Sequence, residues 1–316
     1  MFKLESSGIA GSVYLVLFCC LLPVTVYCTL KKGYKSVFTL LLIYNLIRLG
    51  GQVCGVLFGY YGFSNTDCLI AYIILGAEGY FSLILSSLYT IVEGQRLVKG
   101  RSWLKDYGPR GAFDASQKKR FGIRSNNWYG LYHLILIPAN ALLIAGASMT
   151  SGLSIQEYLQ NGSKLQTSKS LRCAGQAIFL ALTIVMVVIA LSTFFIQRVR
   201  CWTMITVILA SPFLIVRGIF GILSIYIDSM NYMAMSNYIH GGVFGILSIY
   251  IDDMNYMAMT NYLNGFHSTL IIYEYILGTS MEFVSAIFLV SAYFDKQRVP
   301  ELSREDSFET ICKNEY

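Results

Sequence analysis

Seven long apolar stretches occupy most of the chain, and each is long enough to cross a bilayer core as a helix. About 20 helical residues span a hydrocarbon core of about 30 Å. The stretches run over about 9–30, 37–62, 68–92, 128–149, 174–196, 202–227 and 267–294. They are continuously apolar rather than alternating, and too long for tilted spanning strands. The fold class that follows is all-α: a polytopic membrane protein built as a seven-helix bundle. Composition agrees, because only 13% of the 316 residues are charged, against about 25% in soluble domains. No polar segment outside the loops and tail is long enough for a second, soluble domain. The first stretch is expected to be a retained span. It is too long for a leader, has no basic lead-in and no small-residue cleavage site.

Lys and Arg fall unevenly on the two sides. One side holds 18: Lys31, Lys32 and Lys35, nine from Arg96 to Arg124, Arg198 and Arg200, and four in the tail. The other side holds four, Lys3, Lys164, Lys169 and Arg172; Arg48 and Arg217, inside spans, complete the 24. By the positive-inside rule the N-terminus lies outside and the C-terminus is cytosolic. The net charge of +6 is therefore an orientation signal, and no nucleic-acid partner is expected. Trp128 and Trp202 open the fourth and sixth spans at the cytosolic boundary, where indoles favour the interface. A glycosylation sequon, Asn161-Gly162-Ser163, falls in an outer loop. In the secretory pathway Asn161 is expected to carry glycan, and a C-terminal tag is expected to be digested by protease added to sealed microsomes. A protected tag with unmodified Asn161 would reverse the orientation. This topology suits the plasma membrane or another secretory-pathway membrane, with membrane lipids as constant neighbours.

The main cytosolic segment, 95–127, is basic, with Lys118-Lys119-Arg120 and, among the charges, Trp103 and Phe113. Such a segment lies against anionic lipid or docks a cytosolic partner. The tail, 295–316, is polar and expected to be disordered. Residues 218–241 and 242–265 form two 24-residue blocks differing only at 219/243, 229/253, 236/260, 239/263 and 240/264. Two blocks are too few for a solenoid. The first supplies the outer half of the sixth span; the second has an apolar run, 243–251, too short to span. The pair reads as a tandem duplication that lengthens the outer loop before the seventh span.

Four charges lie deep in the spans: Arg48, Glu78, Arg217 and Glu282. Each is costly in hydrocarbon unless paired, and such residues mark functional or structural centres. Counted from the outer end, Glu78 and Arg217 lie about 15 Å deep, Arg48 and Glu282 about 21 Å. Depth matching permits Arg48–Glu282 and Arg217–Glu78 pairs, although rotation of neighbouring helices can exchange the partners. Glu274 sits about one turn inside the outer boundary, where it can face an outward cavity. Gly76 and Gly79 flank Glu78, Gly218 and Gly221 follow Arg217, and Gly51, Gly55 and Gly59 repeat every four residues after Arg48. Small residues at this spacing let helices approach closely. Pro23, Pro138 and Pro212 interrupt spans and permit kinks. Asn45, Gln52, His133, Asn140 and Gln176 add polar groups. Two readings follow: a hydrogen-bonded structural network, or a ligand or ion pocket open to the outside.

The chain has three His and no His/Cys cluster at zinc spacing. The seventh span has no Lys for a retinal Schiff base, and no glycine loop precedes a phosphate-binding Lys. No metal or cofactor is expected, and no catalytic residue is assigned. Cys68 and Cys173 both sit at the outer boundary, where an oxidising exterior allows a disulfide.

Three segments carry a family resemblance. The second span reads Ile43-Tyr-Asn-Leu-Ile-Arg48-Leu-Gly-Gly, the sixth Ser211-Pro-Phe-Leu-Ile-Val-Arg217-Gly-Ile-Phe, and the seventh Met281-Glu282-Phe-Val. Together, over about 13–294, they resemble an uncharacterised family of fungal seven-helix integral membrane proteins defined by a domain of unknown function. The resemblance implies the fold and draws attention to Arg48, Pro212, Arg217 and Glu282; it implies no activity. A looser similarity to fungal lipid-translocating-exporter-like proteins keeps transport or lipid handling in view. The leading functional reading is a receptor-like or sensory protein, favoured by seven spans, an outside N-terminus and a basic cytosolic face. The short 197–201 connection argues against familiar G-protein coupling. The second reading is a transporter or lipid-handling protein. The third is a membrane-embedded enzyme using Glu78, Glu274 or Glu282 as acid or base.

Overall fold

The computed structural model describes residues 5–61, 66–106, 128–149, 162–226 and 272–295. Seven of its helices are long and apolar enough to cross a membrane. They are α1 (Glu5–Lys32), α2 (Val37–Tyr61), α3 (Thr66–Lys99), α4 (Trp128–Ser148), α5 (Gly162–Phe195), α6 (Trp202–Tyr226) and α7 (Glu274–Phe294). Asn161, most of the first repeat block, all of the second and the tail from 296 lie outside the described residues. Large apolar side chains such as Ile9, Val16, Leu134, Val188 and Ile219 face outward. A water-soluble surface rarely tolerates so much exposed hydrocarbon; a lipid-facing one requires it.

Consecutive helices are neighbours, α7 returns to α1 and α2, and α3 packs against α2, α4, α5, α6 and α7. The sequence of α3 suits this central place. Tyr80, Leu83, Ile84, Leu88, Ile91 and Val92 are fully buried. Its buried hydroxyls bond to carbonyls one turn back: Ser86 to Ser82 at 2.7 Å, Ser87 to Leu83 at 2.9 Å and Thr90 to Ser86 at 2.7 Å. These three hydroxyls are thus satisfied within the helix.

Hydropathy marks the solvent boundary, and helices run past it. α3 continues beyond the expected 92 to Lys99, and α5 begins at Gly162, a dozen residues before the expected 174. The polar start of α5 is held by packing: buried Ser168 donates to the Gly146 carbonyl of α4 at 2.6 Å. Part of the expected cytosolic loop is also ordered. After Gly100, at φ +70°, a single helical turn covers Trp103–Asp106. Buried Ser102 donates to Gln95 at 2.6 Å, and Gln95 donates to Thr193 of α5 at 3.1 Å.

Pro23, Pro138 and Pro212 lie inside α1, α4 and α6. All three occupy exposed positions, so their rings face away from the charged centre. Glycines instead set the close contacts. A Cβ on Gly175 would lie 2.7 Å from Leu143 Cγ and 2.8 Å from the Ala139 carbonyl oxygen, and one on Gly146 would meet Arg172 and the Ser168 carbonyl. Gly175→Ala is expected to cost about 1–3 kcal/mol by forcing α4 and α5 apart. Thermal unfolding in detergent measures it, and an unchanged midpoint would mean that the two backbones are not in contact there.

The disulfide that the outer boundary allows is not formed in this structure. Cys68 and Cys173 are both free. Cys173 accepts a hydrogen bond from Tyr226 of α6 at 3.1 Å, and Cys68 lies near Cys54 of α2. The shared boundary gives the two cysteines the same depth, but they face different neighbours around the bundle.

Candidate functional site

The charged centre forms where α2, α6 and α7 converge on α3. Glu282 of α7 is fully buried, and each of its oxygens meets a different arginine. Oε1 accepts from Arg217 Nε at 2.6 Å, and Oε2 ion-pairs with the Arg48 guanidinium. Arg48 is 1% exposed and Arg217 7%. One carboxylate therefore links α2 to α6 through α7, and the three groups carry a net +1. An ion pair removed from water repays its desolvation only with good geometry and further hydrogen bonds.

Each arginine has a prepared seat. Gly79 and Gly76 of α3 leave room for Arg48: a Cβ on Gly79 would lie 2.8 Å from its Nε and 2.9 Å from its Cδ. Arg217 rests on aromatic faces, its Cζ 5.3 Å from the Tyr80 ring centroid and 5.8 Å from that of Phe220. A guanidinium over a desolvated ring gains cation–π attraction. Tyr80 is itself fixed: its hydroxyl donates to the Leu214 carbonyl at 3.1 Å and lies 3.1 Å from Thr183 Oγ1. One turn along α2 from Arg48, Gln52 is fully buried, with neither amide atom partnered among the described residues.

Glu78 stands apart. It is half-buried and accepts from Asn140 Nδ2 of α4 at 2.5 Å. The depth-matched Arg217–Glu78 pair is therefore replaced by Arg217–Glu282, whereas Arg48 and Glu282 do meet. The reason is rotational. Gly79 of α3 faces Arg48 and Tyr80 faces Arg217, so Glu78, about 100° per residue from its neighbours, turns to α4.

The start of α7 is not an α-helix. Residues Glu274–Ser280 form a π-helical segment, and α-helix resumes at Met281. Such segments recur at functional sites. Ser280 donates to the Tyr275 carbonyl at 2.7 Å. From α1, Tyr14 meets the Ser280 hydroxyl and stacks on Tyr275 with ring centroids 5.3 Å apart. Eight residues of uniform α-helix would set Glu274 about 80° from Glu282. The wider π turn advances less per residue and takes up part of that offset. The Glu274 carboxylate lies against Gly278, whose missing Cβ leaves space for it, and accepts from Tyr72 of α3 at 3.4 Å.

Glu274, Tyr72, Gln176, Arg172 and Arg217 line a cleft of about 80 Å³ between α3, α4, α5, α6 and α7. It runs inward from the end of the bundle where α1, α3, α5 and α7 begin, and Arg217 is its deepest charged group. Arg217 thus touches both the cleft and the three-charge centre. The sequence reading does not single out Tyr72 or Tyr80. Their spacing with Gly76 and Gly79, at 72, 76, 79 and 80, marks one face of α3 and is the signal that carries them. At the opposite end, Asp295 Oδ2 clasps the start of α6, accepting from Thr203 N at 2.8 Å and Thr203 Oγ1 at 2.7 Å. Trp202 Nε1 donates to the Ser291 carbonyl at 3.1 Å.

A family profile described as Domain of unknown function (DUF7702) matches residues 110–262. The match takes in α4, α5 and α6, and so Arg217, but neither Arg48 nor Glu282. With the seven apolar helices, it fits an uncharacterised family of integral membrane proteins. No curated protein and no solved structure matches the chain.

Proposed function

We propose that this is a receptor-like or sensory membrane protein that binds a small polar ligand in the cleft and relays occupancy through α6 and α7. The carrying observation is the double engagement of Arg217: one side lines the cleft, the other holds the carboxylate that ties α2, α6 and α7 together. A ligand drawn to Arg217 competes with Glu282 and loosens that tie. The π turn supplies a segment of α7 that can change its hydrogen-bonding register, and the Asp295–Thr203 clasp lies at the far end of the same two helices. In this reading the cleft faces outward, following the Lys/Arg asymmetry, and the clasp faces the cytosol.

Transport is the second reading, favoured by the charged midplane of the bundle. Against it, fully buried Leu41, Ile84, Leu88, Val207, Ala210 and Leu289 fill the bundle beyond the charges. A permeant would have to displace this apolar layer.

Hydrogen exchange on the full chain in nanodiscs, with glycine, acetate and inorganic phosphate as probes, separates the readings. A receptor is expected to show altered exchange both around the cleft and at 197–203 and 291–295. Changes confined to the cleft would defeat the relay. Accumulation of a radiolabelled probe inside proteoliposomes would make the protein a transporter.

A further inference from the structure

The geometry points to a small zwitterion as the ligand of this cleft: an anionic carboxylate or phosphate seated on Arg217 and an amine facing Glu274, joined by a short spacer. This deepens the receptor reading by naming the ligand class, and rests on the same cleft.

Four observations carry it. First, Arg217 commits Nε to Glu282, and neither Nη donates a hydrogen bond to a described group. The fork of a guanidinium is the natural partner of a carboxylate or phosphate. Second, Gln176 is 8% exposed, lines the cleft, and has its Oε1 buried without a partner among the described residues. A buried amide oxygen with no donor is costly, and an ammonium group supplies one. Third, Glu274 lines the cleft with Arg217 but forms no ion pair with it; its contacts are Tyr72 and the space over Gly278. It is available to a cation.

Charge balance is the fourth. Arg172 lies at the partly exposed outer rim of the cleft; inside it, Arg48, Arg217, Glu282 and Glu274 sum to zero when ionised. A net-neutral zwitterion enters without adding charge to a low-dielectric bundle, whereas a lone anion or cation would unbalance it. Size agrees: the cleft is about 80 Å³, and a water needs about 10–15 Å³ on the same measure, so roughly five to eight heavy atoms fit. Glycine and β-alanine fall in that range, and so does the phosphoethanolamine headgroup of phosphatidylethanolamine, whose phosphodiester carries a single negative charge.

The test is thermal unfolding of the full chain in maltoside micelles. Glycine and β-alanine are the soluble zwitterions; acetate, inorganic phosphate and methylammonium each carry half of the chemistry. Micelles doped with phosphatidylethanolamine or phosphatidylglycerol form the lipid arm. At ten times Kd a bound zwitterion is expected to raise Tm by about 2 °C, saturably, with the half-ligands and phosphatidylglycerol giving much less. A response to soluble zwitterions names a free ligand, and a response to phosphatidylethanolamine alone names a lipid headgroup; either supports the inference. Glu274→Gln is expected to erase the advantage of the zwitterion over the anion. The inference is overturned if no zwitterion in either form shifts Tm, if acetate or phosphate alone matches the zwitterion in the unsubstituted protein, or if Glu274→Gln keeps the full preference. The unsubstituted panel decides even if that variant fails to assemble. Zwitterion binding without altered exchange at the far clasp would defeat the receptor reading and leave this one standing. A relay triggered by a ligand of another class would do the reverse.

Discussion

Glu282→Ala is expected to be the most damaging single substitution in the bundle, lowering stability by about 3–5 kcal/mol. The residue is fully buried and serves two arginines, one on each oxygen. Its removal leaves two like charges close together in a low-dielectric core with no counter-ion. Arg48→Ala and Arg217→Ala are each expected to cost less, because Glu282 retains one partner in either case. Double-mutant cycles in detergent, read by circular dichroism, apportion the effect. Arg48 with Glu282 and Arg217 with Glu282 are expected to be strongly non-additive. Arg217 with Glu78 is expected to be additive within about 0.5 kcal/mol, since Glu78 is held by Asn140. Coupling of Arg217 to Glu78 as large as to Glu282 would mean that the carboxylates have exchanged roles. Replacing all three charges by Met or Leu is expected to restore much of the stability, because no lone charge remains. If ligand response is then lost from a well-folded protein, the centre serves function as well as scaffold.

The seven spans are legible because hydrocarbon imposes one rule on every residue of a crossing helix, and an apolar run records that rule. Helix ends are not, because they depend on packing: the polar start of α5 is helical through contacts such as Ser168 with Gly146. Arg48, Arg217 and Glu282 stand out because charge in such runs is rare. Their pairing is only half legible. Depth is one coordinate, counted from sequence; rotation about the axis is the other, and it turns Glu78 away from Arg217. The π turn at Glu274–Ser280 leaves no mark in hydropathy, although it sets the phase of both α7 carboxylates. The prolines mislead for a related reason. Where the helix continues and the ring faces outward, a span-interrupting residue has no bearing on the site.

Glycine spacing is the subtlest signal, and Gly79 tests it most sharply. The spacing announces that something approaches closely, and a helix backbone is the usual guest. Here the guest is the stem of a buried arginine, with Nε 2.8 Å and Cδ 2.9 Å from where a Cβ would sit. Arg48 cannot swing aside, because its guanidinium is tied to Glu282 and the residue is 1% exposed. Gly79→Leu is therefore expected to cost about 3 kcal/mol or more, combining overpacking with separation of a buried pair. Gly76→Ala, whose Cβ would meet Arg48 Nη1 at an ordinary 3.6 Å, is expected to change stability by less than about 0.5 kcal/mol. In an Arg48→Ala background the seat is empty, so Gly79→Leu should lose most of its penalty. An equal penalty in both backgrounds would show that Gly79 accommodates a neighbouring helix, and that Arg48 reaches Glu282 without help from α3. A penalty that vanishes with the arginine would make the glycine part of the charged centre, placed there to let one long cation lie flat against α3 and meet its carboxylate.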